Sequence, residues 1–263
     1  MILATLTAAL STGAVRVVDL TQTLTEDFPT IVLPPEFGAS APVRIERISR
    51  YDAAGPAWYW NNLSFGEHTG THFDAPAHWF TGRDMPRGTV DTLPPEHMVA
   101  PAVVIDCSAE SAANDDHLLT VPALEAWEAA HGRIPAGAWV LMRSDWSQRR
   151  GAAYANLRAD GAHTPGPDAE AMRWLVQDRG ILGFGTETIG TDAGQGGDFQ
   201  PPYPAHHYLH GAGRYGLQCL TNLHLLPATG TVLLAAPLKV HEGSGSPLRV
   251  LALVPGTPDV SQR

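Results

Sequence analysis

The chain has 263 residues, of which 17% are charged and 44% hydrophobic, with 27 acidic residues against 17 Lys and Arg. That length supports a substantial core without staples, and the hydrophobic share excludes disorder driven by charge. A formal net charge of -10 with no basic stripe excludes a nucleic-acid footprint, and no apolar run reaches the roughly 20 residues of a membrane span.

In chain order, Met1–Leu10 reads as a short helix rather than a signal segment, because it lacks a basic start and Thr5 and Thr7 break its apolar run. Ala14–Leu20 follows as a strand. The rest of the first hundred residues is Pro-rich and aromatic, without a clear helix. Short Val-, Ile- and Leu-rich runs predict strands at Ala102–Asp106, Ala138–Arg143, Ile181–Thr186, Thr231–Ala235 and Arg249–Val254. Between them lie two helices. One starts near Thr120 with Pro122 in its first turn, carries Leu124, Trp127 and His131 along one face, and stops at Gly132. The other starts near Pro167, shows Met172, Leu175 and Val176 at helical spacing, and stops at Gly180. Strands alternating with helices predict an α/β fold, with a mixed sheet and flanking helices in one domain over residues 1–263. Two cysteines, Cys107 and Cys219, cannot build a disulfide framework. A cytoplasmic protein is expected.

The chemistry is concentrated in Gly66–His78, where His68, His72, Asp74 and His78 fall within eleven residues. A helix through them is excluded by Gly70 and Pro76. In extended backbone, residues of one parity share a face, and all four are even-numbered. A straight strand at about 3.3 Å per residue would hold His68 and His78 roughly 33 Å apart. The chain must therefore curl, with Gly70 and Pro76 as the residues that permit it. His68, His72 and Asp74 are then expected to close on one cation, with His78 just beyond. Two imidazoles and a carboxylate with open positions make a catalytic rather than a structural site. The donor set suits zinc, manganese or iron(II). Iron oxygenases share it, but they usually take the second histidine from a distant segment. A second region, Tyr203–Leu223, offers His206 or His207 to the same site from the other side.

The run His68-Thr-Gly-Thr-His72-Phe-Asp74-Ala-Pro76-Ala-His78 resembles the HxGTHxDxPxH signature of the cyclase family, metal-dependent amide hydrolases that include bacterial kynurenine formamidases and isatin hydrolases. The likeness extends from Val18 to Glu242-Gly-Ser-Gly. It implies a swivelling β/β/α fold and a homodimer or higher homo-oligomer, with His68, His72 and Asp74 on the metal and His78 as catalytic acid/base. In the formamidase branch a histidine and a glutamate twelve residues apart help hold a second zinc; that spacing here picks out His206 and Gln218. Two dications about 3.5 Å apart repel by roughly 19 kcal/mol at an effective dielectric of 20, so losing a carboxylate argues for one ion. Together with Trp58-Tyr-Trp60 this is similar to the isatin hydrolase branch, which implies manganese, with zinc as the other fit. The reaction implied is opening of a small aromatic cyclic amide, isatin to isatinate; N-formylkynurenine hydrolysis is the alternative. His206 and Gln218 are expected to orient water and substrate oxygens. Trp58 and Trp60 share parity and could face a flat substrate, core packing being the plain alternative; Phe37, Trp79 and Phe80 are weaker candidates for the same pocket.

Overall fold

Apolar runs rich in Val, Ile and Leu form the centre of a nine-stranded sheet in the computed structural model, which describes residues 1–31, 40–79 and 85–256. In chain order the main elements are α1 (Ile2–Thr12), β1 (Val15–Asp19), β2 (Arg44–Asp52), β3 (Gly55–Ser64), β4 (His72–Asp74), β5 (Val99–Asp106), α2 (Val121–His131) and β6 (Trp139–Arg143). They continue with α3 (Ala169–Arg173), β7 (Gly183–Thr186), α4 (Pro204–Gly211), β8 (Tyr215–Gln218), β9 (Thr231–Leu234), β10 (Gly245–Pro247) and β11 (Leu251–Pro255).

The sheet order is β1-β11-β9-β5-β6-β7-β8-β4-β10. Strands β5 to β8 run parallel, and every other pairing in the sheet is antiparallel. The expected mixed α/β sheet with flanking helices is present, in keeping with the β/β/α arrangement that the resemblance implies. Its parallel centre is buried on both faces, as crossover helices require. On β5 and β6, Ala102, Val104, Trp139 and Leu141 pack into one core with Phe73 and Leu217. The alternate residues Val103, Ile105, Val140 and Met142 pack against Leu124, Met172 and Leu175 on the other face.

Both expected helices form. Trp127 fixes α2 to the sheet by donating from its indole N–H to the Val104 carbonyl at 2.9 Å, while His131 stays exposed. The second helix departs from a regular 3.6-residue period. Asp168 caps α3 by accepting from the Ala171 N–H at 2.6 Å, and the chain then widens into a π-helical turn over Trp174–Asp178. Strands β2 and β3, a long antiparallel hairpin, had no signal in the apolar pattern because most of their residues are exposed. Phe37 and Phe80 lie outside the described residues. Among the described residues no helix is long and apolar enough to cross a membrane.

Candidate metal centre and active site

Strand β4 is only three residues long, yet it is inserted between β8 and β10 and buried throughout. Antiparallel register sets Asp74 opposite Gly216 on one side and Gly245 on the other. A Cβ at Gly216 would lie 2.9 Å from Asp74 Oδ2, and one at Gly245 would lie 2.6 Å from the His68 ring. The two glycines thus leave the cradle around the carboxylate free of side-chain bulk. Upstream, Gly70 takes φ +64° and turns the chain; downstream, Pro76 begins a single 3-10 turn ending at His78. Those two bends bring the His68 and His78 rings to 3.8 Å, where a straight strand would have parted them.

Asp74 is the centre of the cluster. Its side chain is fully buried, whereas His68 and His78 remain partly exposed and open the site to solvent. Asp74 Oδ1 lies 2.7 Å from His68 Nδ1 and 3.4 Å from His72 Nε2, and Oδ2 accepts from the Gln218 amide. His68, Asp74 and His78 each offer a ligand atom within 4.8 Å of the others, and so do Asp74, His206 and His210. His72 belongs to neither triplet but faces the same aspartate oxygen.

Outer partners fix the imidazoles. His72 Nδ1 donates to the Gly70 carbonyl at 2.8 Å, so Nε2 is the nitrogen turned to Asp74. Ser244 Oγ donates to Glu67 at 2.6 Å and therefore accepts from His68 Nε2 at 2.9 Å, leaving Nδ1 turned inward. His210 Nδ1 donates to the Arg214 carbonyl at 3.0 Å, and its buried Nε2 has no partner among the described residues. Ring nitrogens held inward around a buried carboxylate by such outer bonds could hold a cation once they give up their protons.

The electrostatics agree. Burial acts to raise Asp74, but His72 and the bond to His68 outweigh it and hold the carboxyl well below its ordinary range. Burial acts to lower His72, yet Asp74 drives it up to about 10. The anion thus takes its counter-charge from protonated His72, a charge that a divalent cation would supply instead. Burial pushes His78 down to about 3, against the pull of Asp74, so it is neutral at pH 7. His210 is likewise lowered to about 4 by burial and by His206.

Of the two later histidines, His206 faces the site and His207 faces solvent. The His206 ring is 5.5 Å from His78 and 5.5 Å from His210. Asp192 sets its orientation: one carboxylate oxygen accepts from the Ala205 N–H at 2.6 Å at the start of α4, and the other from His206 Nδ1. Burial acts to lower His206, and Asp192 reverses this, raising it above a free imidazole. Gln218 donates its amide N–H to Asp74 Oδ2. Trp58 and Trp60 are 54% and 53% exposed on β3, outside the core. The aromatic neighbours of His206 among the described residues include Trp79, at 5.0 Å, which also meets Tyr203 at 5.3 Å.

Asp192, Ser244 and His210 were missed by sequence reasoning. Asp192 and Ser244 are polar residues in loops far from the motif. His210 had a usable signal, since Pro204 opens a helix that places it four residues after His206 on the same face.

The chain matches the Cyclase family over residues 18–193. An isatin hydrolase from Roseibium aggregatum is 51% identical over 251 residues, 94% of this chain and 95% of that one. The structure of isatin hydrolase A from Labrenzia aggregata bound to benzyl benzoate superimposes with TM-score 0.95 at 64% identity, covering 97% of this chain and 100% of that one. An isatin hydrolase bound to the product analogue thioisatinate gives TM-score 0.94 at 50% identity, covering 97% and 98%. A motif folded around one buried aspartate, in a sequence and fold shared with these proteins, makes the chain a member of the cyclase family of hydrolases.

Proposed function

We propose that the protein hydrolyses the lactam C–N bond of isatin, giving isatinate, with one divalent cation on His68, His72 and Asp74 and with His78 as acid/base. The observation that carries this reading is the convergence of partly exposed His68 and His78 on fully buried Asp74. It stands in a chain 51% identical to an isatin hydrolase over nearly its whole length.

When bound, the cation supplies Lewis acidity, lowering the pKa of a coordinated water towards 7 and polarising the lactam carbonyl. Manganese is the favoured ion and zinc the other fit, given mixed nitrogen and oxygen donors and a neutral amide at Gln218 where the formamidase pattern has a carboxylate. His78, neutral at pH 7, accepts the proton of the attacking water. It returns that proton to the ring nitrogen as the bond to carbon 2 breaks. His206, whose proton Asp192 retains above the ordinary imidazole range, donates to the developing oxyanion. Gln218 keeps Asp74 in place.

We also infer a homodimer or larger homo-oligomer in the cytoplasm. Two buried free cysteines support a reducing compartment. Trp58 and Trp60 are exposed on one face of the hairpin and Tyr59 and Leu63 on the other, apolar area suited to a second copy.

Purified, metal-loaded protein mixed in parallel with isatin and with N-formylkynurenine tests the reaction. Bleaching of isatin's visible colour at a rate well above that of formylkynurenine turnover is expected. The reverse preference would replace this reading with the open-chain amide.

A further inference from the structure

We propose that Glu67, acting through Ser244, is a positioning residue for His68: it decides which ring nitrogen His68 offers to the cation and strengthens that nitrogen as a donor. This rests on the proposed one-cation site and adds the residues that prepare one of its ligands.

Glu67 and His68 are neighbours in sequence, and neighbours in extended backbone point to opposite faces. Here both side chains reach the same serine, 177 and 176 positions further on. The run Gly243-Ser244-Gly245 makes that possible. A Cβ at Gly243 would lie 3.0 Å from Glu67 Oε1, and one at Gly245 would lie 2.6 Å from the His68 ring. The two glycines thus clear the space that the carboxylate and the imidazole occupy on either side of the hydroxyl. The Ser244 backbone is held at both ends. Its carbonyl accepts at 2.9 Å from the N–H of Ala75, the residue after Asp74, and its N–H donates to Glu67 Oε2 at 3.3 Å.

The direction of the hydroxyl follows from charge. A carboxylate only accepts, so the Ser244 proton goes to Glu67 Oε2 at 2.6 Å, and Oγ is left as the acceptor for His68 Nε2–H at 2.9 Å. A serine without that anion could turn and donate to Nε2 instead. The neutral ring would then carry its proton on Nδ1, the nitrogen that lies 2.7 Å from Asp74 Oδ1. That proton would have to be displaced before a cation could bind there. Glu67 excludes this tautomer. Pull on the Nε2 proton through the hydroxyl also enriches the Nδ1 lone pair, the effect that a carboxylate has on a metal-binding histidine. Among the described residues both hydrogen bonds to the Glu67 carboxylate come from Ser244, so its influence passes through that residue.

The test is a double-mutant cycle on full-length protein with Glu67→Gln, Ser244→Ala and both, read by manganese affinity in competition with a chelator. Far-ultraviolet circular dichroism reports whether each variant folds. Each single variant is expected to bind manganese about 10–100-fold more weakly. The double variant should bind no more weakly than the poorer single, because either change breaks the same path. Losses that add in the double variant would make Glu67 only a nearby negative charge and overturn the proposal; wild-type affinity in both singles would do the same. Nuclear magnetic resonance of zinc-loaded protein carrying isotope-labelled histidine gives an independent readout. The His68 Nε2–H signal should be sharp in wild type and lost to faster exchange with water in S244A and E67Q, while the His72 Nδ1–H signal stays in place. A His68 signal unchanged in both variants would count against the assignment. If S244A does not fold, E67Q decides by affinity and spectrum together. Protein that binds manganese but leaves isatin intact would end the proposed reaction and not this assignment, whereas a wild type that binds neither metal would end both.

Discussion

His72, His68 and His210 each direct one ring nitrogen outward, to Gly70, Ser244 and Arg214 respectively. The opposite nitrogen faces inward, so the lone pairs that could hold a cation are oriented by neighbours with no part in the chemistry. His78 differs. Its ring stacks on His68 at 3.8 Å, and burial keeps it in the neutral form that the proposed acid/base role starts from. His78→Ala should leave metal content intact while lowering kcat by about two to four decades. Full turnover in that variant would remove its role. Asp192 acts one step back, through His206. Asp192→Asn keeps an acceptor for the Ala205 N–H but loses the anion beside the imidazole, at an expected cost of about 1–3 kcal/mol. Because the folded His206 pKa is raised, the pair's contribution is full below the free value of about 6.5 and disappears as pH rises through the folded value. Urea melts of chelator-treated protein should therefore show the gap between wild type and variant widest near pH 6 and narrower at pH 9. A gap that does not change with pH would remove the ion pair with His206 from the account. At this scale the motif residues were legible because three histidines and an aspartate shared one parity. Asp192 was not, because it lies outside the motif and fourteen positions before the imidazole it orients.

Among elements, β4 does most to define the site while having the least sequence of its own. Three residues gain their place only through pairing with β8 and β10. Periodicity could not have put Gly245 beside Asp74, since most of the chain lies between them. Gly245→Ala tests how closed that cradle is. Its Cβ would come 2.3 Å from the Phe73 carbonyl oxygen and 2.6 Å from the His68 ring, so β10 must shift or His68 must leave. The expected result is metal affinity weaker by about 10–100-fold, the range for lost ligand support, read by competition with a chelator. Wild-type affinity would show that the strand yields without disturbing the donors. The parallel strands β5, β6 and β7 were readable because burial on both faces demands continuous apolar runs. The hairpin was not readable, because its residues do not enter the core and so carry no core pattern.

For the whole molecule, the sheet joins β1 near the start of the chain to β11 near its end, and the site sits at the β4 side of the same sheet. Most of the folded chain therefore bears on the position of Asp74. The exposed hairpin aromatics extend the argument beyond one chain. A Trp58→Ser, Trp60→Ser double variant should shift the mass seen by light scattering towards the monomer, and an unchanged mass would place the interface elsewhere. The central claim, one cation per chain driving hydrolysis, is tested most directly by adding manganese stepwise to chelator-stripped protein and following isatin turnover at each step. Turnover should be negligible at the start and rise in proportion to metal until one ion is bound per chain. Activity that survives stripping, or that saturates only at two ions, would contradict the account.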